Sequence, residues 1–195
     1  TRRLELAKRF AGFYLNEDKE AINYDPEHRV VLSGLNGSKG AIVTDGADGR
    51  EYSPVGTTME PYGLPFFDLP GIESVKDLAD PANAKRMGAA MQQRWKAGDA
   101  PANLAITSMM TNAFMLTQQE KYRDWVVEYT DAWLQRAQDN GGLLPDQIGP
   151  SGKVGEFVDG KWYGGRYGWT FPHGFLTMHF ATVDAGANAY LLTRD

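Results

Sequence analysis

The chain has 195 residues, 42% of them hydrophobic and 23% charged, which is enough apolar material for a folded domain with a real core. Lys and Arg number 20 against 25 Asp and Glu, and the net charge of -5 argues against nucleic-acid backbone binding as the main task. No apolar run is long enough for a membrane span, and zero Cys excludes disulfides, thiolate metal sites and cysteine nucleophiles. Of 22 Gly, eight lie between positions 34 and 71 and ten between 141 and 174. Helix-compatible stretches therefore alternate with two long loops rich in Gly and aromatic residues, too aromatic for plain linkers.

Residues 1–15 predict an amphipathic helix whose apolar face is Leu4, Ala7, Phe10, Ala11 and Tyr14, closed by Asn16. Residues 17–72 read as an irregular insertion with two short β-like runs, 29–32 and 41–44. Asp45, Asp48 and Gly49 only faintly echo a calcium loop and read as a tight turn. Asn36, Lys39, Tyr52, Glu60 and Tyr62 read as surface polar and aromatic residues of this excursion. His28 has no local partner in the sequence that suggests chemistry.

Asp80-Pro81 predicts an N-cap followed by Pro at N1. Ala84, Met87, Ala90, Met91 and Trp95 then hold helical spacing. Residues 100–119 contain no charge, so the spacing predicts a helix covered on nearly all sides. Residues 120–138 instead put Tyr122, Trp125, Val126, Tyr129 and Trp133 on one stripe, with the charges outside it. A shielded inner helix and a half-exposed outer helix joined by a short turn are expected to pack antiparallel. The pattern then recurs: Asn112-Ala113-Phe114-Met115-Leu116-Thr117 matches Asn188-Ala189-Tyr190-Leu191-Leu192-Thr193 at an offset of 76 residues. The second inner helix, 173–192, carries only Asp184 as a fixed charge, so it is expected to need a covering partner. The chain is therefore expected to be a fragment, with the remainder of the assembly missing. Asn112 and Asn188, recurring at equivalent places, read as groups that bond a neighbouring turn.

An uncharged inner helix, a Leu-Thr turn, an amphipathic outer helix and a long loop, repeated over residues 81–195, resemble the α/α toroid of six-hairpin polysaccharide lyases and glycoside hydrolases. The expected fold is thus all-α dominated, a partial helical-hairpin toroid over 1–195 with short β-hairpin pieces. Residues 140–172 form its site loop. The resemblance implies a lyase cleaving an acidic, uronate-containing polysaccharide by β-elimination. A glycoside hydrolase and a non-catalytic glycan-binding or scaffold module are the alternatives, and a toroid enzyme acting on an apolar substrate is a third. No cofactor, metal, nucleic-acid or membrane partner is expected, and the expected location is periplasmic or extracellular.

The candidate residues lie in the second Gly-rich loop. Arg166 is read as the group that neutralises a uronate carboxylate, with Tyr167 and His173 as acid and base; a hydrolase would require two carboxylates, for which Glu156, Asp146 and Asp159 are the acids available in this loop. Trp162, Tyr163 and Trp169 offer flat faces to sugar rings, and Asp146 and Lys153 offer polar contacts. The competing reading is a plug in which these aromatics are packing. His179 reads as a satisfied core or supporting group. Three widely spaced His without an H-E-x-x-H pattern do not suggest a metal site.

Overall fold

A computed structural model describes residues 2–43, 64, 66, 68–165, 168–169 and 174–194. Among them are five α-helices and one two-stranded sheet, so the fold is helix-dominated. Helix α1, Arg2–Gly12, buries Ala7 and Ala11, and Tyr14 just beyond it is also buried. Its buried face is narrower than the spacing predicts, because Phe10 is exposed. Asn16 ends the segment with a positive φ of 51°. Its amide then bonds Asn23 and Tyr24 of the returning chain.

That return leads into strand β1, Tyr24–Asp25, which pairs antiparallel with β2, Val30–Val31, in the register Tyr24↔Val31. Tyr24, Val30 and Val31 belong to the main core. Residues 41–43 of the second predicted run do not form a strand. Thr44, the Asp45–Asp48–Gly49 turn, Tyr52, Glu60 and Tyr62 lie outside the described residues. Asn36 is half-buried and bonded to Tyr14 and Asn103, while Lys39 is exposed.

Helix α2, Pro81–Met91, begins as the sequence predicts, with the Asp80 side chain accepting from Ala82 N–H. It continues as a π-helical turn, Gln92–Lys96. A smaller cluster of Leu64, Phe66, Ile72, Leu78, Met87 and Ala90 packs beneath it. Gly98 then holds a φ of +99°, and a Cβ there would collide with the Ile148 carbonyl. Only glycine allows the two backbones to meet at the Asp99–Ile148 bridge.

The uncharged stretch divides into a 3-10 turn, Pro101–Ala105, and helix α3, Ile106–Thr117. Gln118 takes a left-handed conformation, and two residues later α4, Glu120–Asp139, folds back along α3. The predicted α4 stripe is buried as a unit: Tyr122, Trp125, Val126, Tyr129 and Trp133. Helix α3 departs from its expectation. Thr107, Met110 and Ala113 are buried, but Asn112, Met115 and Leu116 are exposed. The departure in α5, Gly174–Thr193, is larger. Only Gly174, Met178, Ala181 and Ala185 are buried, a stripe of small residues with one methionine.

Candidate functional site

The loop following α4 is organised around Asp146, whose side chain is fully buried. Its carboxylate accepts the backbone N–H groups of Gly164 at 3.0 Å, Gly165 at 2.8 Å and Trp169 at 2.9 Å. Burial pushes this carboxyl above its ordinary range, and the N–H donors pull it back only in part. A Cβ at Gly165 or Gly168 would strike Asp146, which explains the small residues around the knot. Both oxygens are therefore occupied in holding the loop.

Around this knot the loop aromatics meet edge to face. Trp162 lies 5.2 Å from Tyr163 and 5.8 Å from Trp169, measured between ring centroids. The row continues onto the first turns of α5 through Phe175, 5.9 Å from Trp169, and His179, stacked on Phe175 at 5.8 Å with 15° between planes. Tyr163, Trp169 and Phe175 are 41%, 36% and 54% exposed, so the row is an outer face and not a sealed plug. The Trp169 indole N–H donates to the Leu144 carbonyl at 2.7 Å, which sets the tilt of its ring. A groove of about 180 Å³ opens beside the row, lined by Leu143, Leu144, Trp169, Phe175, His179 and Thr182 among others.

Trp162, Tyr163 and Trp169 thus come together as the sequence suggests. Arg166, Tyr167 and His173 lie outside the described residues. Glu156 and Lys153 sit in another neighbourhood. The Glu156 carboxylate accepts from Ser151 N–H and Oγ and stands close enough to His28 to raise its pKa, while Lys153 is exposed. His28 is not partnerless, because its Nδ1 meets Asp25 at 2.5 Å, and this bond pushes its pKa above the ordinary value. His179 is exposed on the groove rather than a core group. It was missed as a site residue with Phe175 and Thr182, although their spacing of four, three and seven residues puts all three on one helical face.

A second feature escaped the sequence reading. Asp99 is 1% exposed and accepts from Val31 N–H at 2.9 Å, Ala100 N–H at 2.8 Å, Asn103 Nδ2 at 2.8 Å and the Tyr129 hydroxyl at 2.8 and 3.0 Å. Asn103 accepts in turn from Asn36, and Asn36 from Tyr14 at 2.5 Å. This chain of polar groups joins the segment after α1, the 33–37 turn, the 3-10 turn and α4. Burial pushes the Asp99 carboxyl up to about 6. Its hydrogen bonds tie β2, the 3-10 turn and α4 to one another. Among the described residues, no group of three or more His, Asp or Glu side chains is placed to hold a metal ion, and no helix is long and apolar enough to cross a membrane.

With this geometry the chain belongs to the family described as a domain of unknown function, DUF8034, whose match covers residues 1–195. No curated protein and no solved structure matches it.

Proposed function

We propose that this domain is a carbohydrate-active unit of the α/α-toroid kind that binds an acidic polysaccharide along the aromatic row and cleaves it by β-elimination. The observation that carries the reading is the exposed row from Tyr163 to His179 on a loop pinned by Asp146. Flat, rigidly tilted rings beside a groove suit the apolar faces of successive sugar rings. The α3–α4 hairpin and its partial repeat in α5 are the features that favour a toroid. In this reading Arg166 faces the uronate carboxylate and thereby acidifies the C5 proton. Of Tyr167 and His173, one removes that proton and the other donates a proton to O4. The C5–H electron pair becomes the C4–C5 double bond as the C4–O4 bond breaks.

Incubation of the chain with uronate polymers should release unsaturated products that absorb in the ultraviolet. Tyr167→Phe and His173→Ala should abolish turnover while leaving polymer binding, and Trp169→Ala should raise KM. Reducing ends without unsaturation would make the activity hydrolysis instead of elimination. The strongly apolar groove lining favours a second reading, a non-catalytic glycan-binding module, which binding without any cleavage would establish.

A further inference from the structure

The groove beside the aromatic row has few polar side chains, and all but one of them are already engaged. The Trp169 indole N–H donates to the Leu144 carbonyl and the Thr182 hydroxyl to the Met178 carbonyl, each at 2.7 Å. The backbone N–H groups of Gly142 and Leu143 donate to the carbonyls of Ala137 and Asn140. What remains is the His179 side chain, which is exposed on the groove and makes no hydrogen bond among the described residues. Ring contacts alone hold it. It stacks on Phe175 at 5.8 Å with 15° between planes and meets Phe180 at 6.2 Å and 61°. The two ring nitrogens lie at the edge of the imidazole, so stacking on its face leaves them available to a ligand.

A charge on this ring would have no neighbour to oppose it. Among the described residues, no Asp, Glu, Lys or Arg lines the groove. The charged groups on the surrounding elements are engaged elsewhere or turned away. Asp146 accepts three backbone N–H groups of its own loop, and Asp139, at the end of α4, accepts from Gln135 at 2.8 Å. Asp184 follows His179 on α5 by five residues, which places it about 140° around the helix.

Imidazole is the side chain that changes charge between pH 5 and 8, and an imidazolium N–H donating to a carboxylate is among the stronger hydrogen bonds a protein makes. An apolar groove with one such group therefore separates a ring that carries a carboxylate from one that does not. The groove's volume of about 180 Å³ is below the ~300–1,000 Å³ of ordinary ligand pockets, which suits one ring of a longer chain lying across the row.

We propose that His179 is the residue that selects an acidic saccharide: Trp169 and Phe175 seat the apolar face of a ring, and the His179 imidazolium donates to that ring's carboxylate. The inference rests on the saccharide reading of the aromatic row and names the side chain that distinguishes a uronate from a neutral sugar. It is tested by calorimetric titration of tetragalacturonate and of its neutral, carboxyl-reduced form at pH 5.5 and 8, in the Tyr167→Phe background so that bound chains stay intact. The uronate should bind about tenfold more tightly than the neutral form at pH 5.5, and less than about twofold more tightly at pH 8. The neutral form should bind alike at both, which controls for titration of His28 and Asp99 elsewhere in the fold. His179→Gln keeps an N–H donor without the charge and should lose the preference at pH 5.5, whereas His179→Lys should hold it at both pH values. The side chain is exposed and unbonded among the described residues, so both variants should fold as the parent does. A preference that does not change with pH, or that survives in His179→Gln, would overturn the inference while leaving saccharide binding along the row in place. Failure of both tetrasaccharides to bind would overturn the reading of the row, and this inference with it.

Discussion

Asp99 gives the sharpest test of how this fold is held. Its carboxyl titrates near 6 in the folded chain because burial disfavours the ionised form, against an ordinary value of 3.8. A raised folded value means that the native state holds the proton more tightly than the unfolded state. The associated stability is fully present below pH 3.8 and is lost as pH rises through 6. The span corresponds to about 3 kcal/mol, a large part of an ordinary domain's stability. Asp99→Asn removes the titration but turns an amide NH₂ toward the donors that surround the carboxylate, Val31 N–H among them. An unsatisfied buried pair of this kind costs about 1–3 kcal/mol at any pH. Denaturant unfolding at pH 4.5 and 7.5 should show the variant less stable than the parent at the lower pH, with the gap narrowing by about 2 kcal/mol at the higher. Parallel pH profiles for the two proteins would refute the assignment.

Three further outcomes follow from packing and electrostatics. Trp133→Ala should cost about 3–5 kcal/mol on denaturant unfolding because the indole is 1% exposed, whereas Phe180→Ala, on the open face of α5, should change stability by less than about 0.5 kcal/mol. Gly98→Ala should lower stability by more than about 1 kcal/mol in thermal melts, since it combines a φ of +99° with a collision against the Ile148 carbonyl. The His28 imidazole should titrate above 6.5 by NMR and fall to an ordinary value in Asp25→Asn. Its contribution to stability, greatest below pH 6.5, should fade as pH rises through the raised value.

Much of the helical framework is readable without coordinates, because local chemistry decides it. Asp80 followed by Pro81 starts α2, since the side chain can accept the free N–H of Ala82 and proline has no N–H to leave unpaired. The α4 stripe repeats at helical spacing and is long enough to commit one face to the core, and all five of its residues are buried. Strand pairing was less legible. Val30–Val31 meets Tyr24–Asp25 rather than the 41–43 run, because a short strand's partner depends on where α1 and Asn16 direct the chain.

The site divides along the same line. Trp162, Tyr163 and Trp169 stood out from the sequence as a dense aromatic group, and their rings do meet. That Asp146 would be spent on three backbone N–H groups was not visible, since a carboxylate's partners here lie 18 to 23 residues away. Asp99 and Tyr129 are 30 residues apart and find each other only once α4 has docked.

Residue periodicity and capping chemistry by themselves determined that this chain forms amphipathic and uncharged helices and repeats one of them. Which faces α3 and α5 bury was decided by tertiary structure. Composition states how much apolar surface must be removed from water, but only the presence of a neighbouring helix removes it. Phe114 of α3 is therefore half-buried against the core, while its counterpart Tyr190 in α5 is exposed.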